Sequence, residues 1–207
     1  AAVCQQKGCE NCSVSAAVNI VYYKYPLNRA ISETHAMLGE AKAEATKFNN
    51  PSDKQYAQAK NCIHVQLRKH SGQTSRFMVT RHEHNLSSAW KTVKEYFSLP
   101  VSDDLVHGIH HRLMKQQHIL VHLLQQEDRD TRLDAWLKIM QEEYPVSADY
   151  IKCLKKMLCH MWDQRRKAPK AEKENALFLQ DLDGVFRTGE MLCTAHRQKK
   201  KKGDNTQ

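Results

Sequence analysis

Five histidines lie between positions 107 and 122, and four of them, His107, His111, His118 and His122, recur at spacings of four, seven and four. At about 100° per residue, an α-helix gathers these four into a stripe about 60° wide. Leu105, Ile109, Leu113, Leu120, Leu123 and Leu124 take the opposite face. The spacing predicts a helix with one packed side and one titratable side. Imidazoles stacked this way can hold a metal ion or change charge near neutral pH, so the four are candidate metal ligands. Structural zinc takes four ligands in a tetrahedron, which one straight stripe does not supply. His82 and His84 are the nearest histidines in sequence that could complete the set. A solvated face or a helix interface uses the same pattern without any ion.

The cysteines form a second group. Cys4, Cys9 and Cys12 are spaced C-x4-C-x2-C, which is the spacing of a plant-type ferredoxin iron–sulfur loop, and three thiolates with a histidine could also hold zinc. A short N-terminal disulfide uses the same residues with no cofactor, and none is expected. Cys153 and Cys159 are six apart, hence about 240° apart around one helix, and cannot bond to each other while it is intact. A disulfide reading sends one of them to Cys62 and the other to Cys193 or to the N-terminus. The alternative makes both small buried apolar residues. Seven cysteines leave at least one thiol unbridged within the chain.

Catalytic motifs are not apparent. The chain has no nucleophile elbow, no HExxH, no phosphate-binding glycine loop and no dinucleotide fingerprint. Asp181 and Asp183 precede Gly184 but lack the further oxygen ligands of a calcium loop. The chain is therefore expected not to be an enzyme.

The charge is uneven. Of a formal +9 over 207 residues, +7 lies from Tyr150 onward, where 14 Lys and Arg face 7 Asp and Glu. The candidate polyanion-binding residues are Lys152, Lys155, Lys156, Arg165, Arg166, Lys167, Lys170, Arg197, Lys199, Lys200, Lys201 and Lys202. Such a cluster attracts phosphate or sulfate, although a charge run is also an ordinary solvated surface.

Seven Gly and five Pro in 207 residues, with abundant Leu, Ala, Lys, Gln and Glu, favour helices over a sheet. Residues 14–25 suit a helix or a strand. From Leu27 to about Phe48 the apolar spacing is helical. Asn50 and Pro51 offer a helix start, with Tyr56, Ala59, Ile63 and Leu67 following at helical spacing to Gly72. A third stripe runs from Phe77 through Ala89, Trp90, Val93 and Phe97. Ser102 caps the histidine helix, about 103–127; Asp130 opens the next, and Ser147 another. The last helix spans about 175–196. The expected fold is an all-α bundle of six to seven helices: one domain, 1–196, with a cysteine-rich lead-in over 1–13 and a disordered basic tail over 197–207. No apolar run is long enough to span a membrane.

An N-terminal cysteine pair before a long helix, Cys62 in a crossover, a Trp90 helix ending at Leu99-Pro100, and the segment Tyr150-Ile-Lys-Cys-Leu-Lys-Lys together resemble the long-chain helical cytokines and hormones of the prolactin and growth hormone type. The resemblance implies a late-helix cysteine tied back to the crossover, here Cys62 with Cys153. Cys12 and Cys159 depart from that pattern as extra cysteines, and Cys193 lacks a downstream partner. The start at Ala1 reads as a processed chain, and sequons at Asn11 and Asn85 suit secretion. Two functions follow as expectations. One is a secreted helical protein binding a protein receptor, its basic end holding acidic glycans. The other is an intracellular or viral nucleic-acid-binding protein, a possible polyprotein product, using the same cations on phosphates. Neither fixes an oligomeric state.

Overall fold

Residues 62–68 read Cys-Ile-His-Val-Gln-Leu-Arg, apolar at every second position around a polar set. That period belongs to a strand whose two faces differ. The computed structural model, which describes residues 14–48, 62–80, 88–99, 101–166 and 171–204, places this segment at the centre of a three-stranded sheet. In chain order the elements are β1 (Ala16–Val21), α1 (Leu27–Phe48), β2 (Cys62–Arg68), β3 (Thr74–Thr80), α2 (Ser88–Ser98), α3 (Asp103–Lys115), α4 (Gln117–Gln125), α5 (Arg129–Glu143), α6 (Ala148–Arg166) and α7 (Ala171–Asp204). The protein is thus predominantly helical, but not purely all-α.

β1 pairs with β2 in parallel, Val18 opposite Val65, and β2 pairs with β3 antiparallel, Val65 opposite Phe77. Parallel neighbours need a long crossover, and α1 lies within it. The β2–β3 connection is a tight hairpin in which the Gly72 amide donates to the Lys69 carbonyl at 3.0 Å. Gly72 sits at φ +85°, a region that a side chain disfavours. Gly72 therefore turns a hairpin and does not end a helix, and Ile63, Leu67 and Phe77 are strand residues.

The two sheet faces meet different partners. Ile63, Val65, Phe77 and Val79 join the main core with Leu182, Val185 and Phe186 of α7. Cys62 and Met78 meet Ala41 of α1. Gly184 lets α7 approach β3, since a Cβ there would stand 2.2 Å from the Arg76 carbonyl oxygen. The rest of the core is drawn from α2 to α7, including Tyr96, Ile109, Leu113, Leu120, Leu124, Leu133, Leu137, Tyr150, Leu154 and Phe178. The buried Tyr96 and Tyr150 hydroxyls hydrogen-bond each other, so neither polar atom is stranded.

Several boundaries differ from the sequence expectation. α1 matches its expected span, whereas residues 16–21 are a strand. Ser102 caps α3 as expected, its Oγ accepting the Leu105 amide at 3.4 Å. α5 begins one residue ahead of Asp130, which lies in its first turn. The 103–127 helix is two helices, interrupted at Gln116, whose φ of −105° and ψ of 25° leave helical values. α7 continues to Asp204, so residues 197–204 are helical and the expected boundary at 197 falls inside a helix. Consecutive Lys residues are good helix formers, and cations near a helix C-terminus oppose its dipole. Among the described residues, no helix is long and apolar enough to cross a membrane.

Candidate functional site

α3 presents Ile109 and Leu113 to the core, both fully buried, and α7 packs beside it with Leu182, Val185 and Phe186. His110 lies next to Ile109 on the margin between the apolar face and the exposed histidines. It is 5 % exposed and faces α7. Its ring stacks on Phe186, centroids 4.8 Å apart and planes within 7°. Nε2 lies 3.1 Å from Asp183 Oδ1, and Nδ1 lies 3.1 Å from Glu190 Oε1. Asp183 Oδ2 in turn accepts from Arg187 Nε at 2.7 Å. His107, one turn earlier on α3 and largely exposed, brings Nδ1 to 3.7 Å from the same Glu190 oxygen.

This seam joins two helices by charge. Burial alone lowers the His110 pKa, but the hydrogen bonds and charges of Asp183 and Glu190 outweigh it and raise the imidazole above its ordinary value. Burial raises both carboxyls, and His110 outweighs it: Asp183, helped by Arg187, and Glu190, helped by His107, fall below their ordinary values. On the sheet side, Asp183 also borders a polar hollow of about 370 Å³ lined by Gln66, Arg68, Thr74, Ser75, Arg76 and Gln180.

Deeper along α7, Asp181 forms a buried pair with Arg165 of α6. Its Oδ2 accepts from Arg165 Nε at 2.7 Å, and its Oδ1 accepts the Met78 amide of β3 at 2.9 Å. One carboxylate thus ties α6, α7 and the sheet together.

The structure divides the expected histidine stripe. His107 and His111 are exposed on α3, and His118 and His122 are exposed on α4, across the break at Gln116. Among the described residues, the one group of three metal-ligand types in close array is His107, His110 and Glu190. Two of these were outside the expected set. His110 interrupts the regular stripe spacing, and Glu190 is 80 residues away from it, so periodicity on one helix does not reveal either. His82 and His84 lie outside the described residues.

The cationic set is also divided. Arg165 is buried in its pair with Asp181 and is unavailable to an external polyanion, because burial without that carboxylate would strand its charge. Lys155 is paired with Asp134 at 2.7 Å, Lys156 approaches Glu95 at 3.9 Å, and Lys152 is exposed. Lys167 and Lys170 lie outside the described residues, as do the side chains of Arg166, Arg197 and Lys199 to Lys202.

Cys62, Cys153 and Cys159 are thiols. Cys62 is enclosed between the sheet and α1, while Cys153 donates to the Thr92 carbonyl at 3.9 Å on the α2 side. The hormone resemblance implies a bridge between Cys62 and Cys153; the structure places the two residues in different layers. Cys4, Cys9 and Cys12, and the side chain of Cys193, lie outside the described residues. Burial pushes the Cys159 thiol up to about 11. Thiolate forms as pH rises toward that value, so at pH 8 its amount should be roughly a hundredfold below that of an exposed cysteine. Iodoacetamide labelling followed by peptide mass spectrometry is expected to modify Cys159 far more slowly in the native protein than in urea. Equal rates would show that the thiol is not shielded.

The fold defines a class: a predominantly helical domain built on a small mixed sheet, with ionic links between its helices. Comparison with protein-family models, with curated proteins and with solved structures finds no match to this chain.

Proposed function

We propose that the protein binds nucleic acid through the basic C-terminal end of α7. The observation that carries this reading is the run Arg197 and Lys199 to Lys202 on the last turns of a single 34-residue helix. Within the six residues from Arg197 to Lys202 the sequence places five cations and no acid. An apolar docking face needs a stripe; a phosphate backbone needs charge. From Ala195 to Thr206 the sequence contains one acid, Asp204. The competing reading, a secreted receptor-binding protein with a glycan-binding end, uses the same cations and is separated by the test.

Single-stranded RNA binding is measured against salt for the full chain, a chain ending at Cys193, and a chain with Lys199 to Lys202 changed to Gln. Full-length affinity should fall steeply with salt, and truncation should reduce the log–log slope by about 3.5 if all five cations meet phosphates. The thermal midpoint should change little, because Phe178, Leu182, Val185 and Phe186, the α7 core residues, precede the cut. Equal affinity and slope in all three chains would show a merely solvated helix end. Binding to heparin without RNA binding would support the secreted reading instead.

A further inference from the structure

The geometry points to a divalent transition-metal site, zinc by preference, formed by Nδ1 of His107, Nδ1 of His110 and the carboxylate of Glu190. The three ligand atoms lie within 4.8 Å of one another. With zinc–ligand distances of about 2.0–2.2 Å, a tetrahedron sets its ligand atoms about 3.4 Å apart. The Glu190 oxygen stands 3.1 Å from His110 Nδ1 and 3.7 Å from His107 Nδ1, on either side of that separation. The histidines are three apart on one helix and so share a face, and the carboxylate comes from the helix opposite. The remaining movement falls to His107, whose side chain is 72 % exposed.

The surroundings suit a ligand histidine. A metal-bound imidazole usually directs its second nitrogen to a carboxylate, which fixes ring orientation and tautomer. His110 directs Nε2 to Asp183 Oδ1, and Arg187 holds the other Asp183 oxygen. Phe186, stacked on the ring, fixes its plane. Asp183, Glu190 and Arg187 together carry one net negative charge before either imidazole is counted, which favours a cation. Two nitrogen donors and one oxygen suit zinc or cobalt and disfavour calcium and magnesium, which take oxygen ligands. Three protein ligands with one exposed side leave the fourth position to water. The site does not depend on nucleic-acid binding.

The test uses the full chain with Cys4, Cys9 and Cys12 changed to Ser, so that N-terminal thiolates cannot hold the ion. Zinc is titrated by calorimetry and cobalt by its visible ligand-field bands. One ion per chain is expected, with a rise in thermal midpoint on zinc addition. H107A and E190Q should each weaken zinc binding at least tenfold, while H111A and H118A leave it unchanged. H107A should keep its metal-free thermal midpoint, because His107 is largely exposed. The assignment is overturned if no saturable binding occurs, if H107A binds zinc as tightly as the parent, or if H118A removes the binding.

Discussion

Asp181→Ala is expected to destabilise the protein by about 3–5 kcal/mol, the range for removing one partner of a buried ion pair. The carboxylate is almost fully enclosed, and so is the Arg165 guanidinium it binds. Removing it takes from Arg165 a carboxylate oxygen at 2.7 Å and from the Met78 amide an acceptor at 2.9 Å. Both losses fall where water does not readily replace the missing bond. Since whole domains are stable by about 5–15 kcal/mol, the variant should lie near the limit of folding. Asp181→Asn keeps an acceptor oxygen while losing charge, and should fall between parent and Ala. Urea denaturation monitored by circular dichroism measures all three. A loss below about 1 kcal/mol for Ala would mean that the pair contributes little beyond its own desolvation.

The second large effect is expected at Leu120. It lies on α4, nine residues long, too short to hold helical structure alone in water. Its persistence rests on Leu120 and Leu124, both fully buried in the main core. Leu120→Ala should cost about 2–5 kcal/mol, from lost transfer free energy and the cavity left behind. Leu123, one residue short of that face, is half-buried rather than a core residue, so Leu123→Ala should cost clearly less. If both variants unfold at the same urea concentration as the parent, α4 is held by something other than this leucine face.

The difference between Leu120 and Leu123 shows how far helical periodicity reaches. Apolar spacing locates Ile109, Leu113, Leu120 and Leu124 correctly, because a core-facing stripe must repeat with the turn of the helix. It does not report that the helix breaks at Gln116, because Gln is a good helix former and carries no stop signal. The sheet was legible in part. Ile63, Val65 and Leu67 alternate strictly with His64, Gln66 and Arg68, a strand signal, but Ile63 and Leu67 are also four apart and fit a helix when read alone. Gly72 is compatible with a helix end and with a hairpin turn, and only the pairing of Val65 with Phe77 decides for the hairpin.

By itself the sequence determined the helical majority, the span of α1, the Ser102 cap and the concentration of positive charge toward the C-terminus. Each depends on local propensity, on nearby spacing or on simple counting. Tertiary structure alone decided which charges are available and which histidines have partners. Arg165 looks like one more cation in a basic stretch until α7 brings Asp181 against it. His110 looks like an irregularity in a stripe until the same helix brings Asp183 and Glu190 to its two nitrogens. These contacts join residues 16 to 80 positions apart, and no local preference encodes such a meeting. It arises because helices with apolar faces must bury them against one another, and that packing carries the polar residues at their margins into contact.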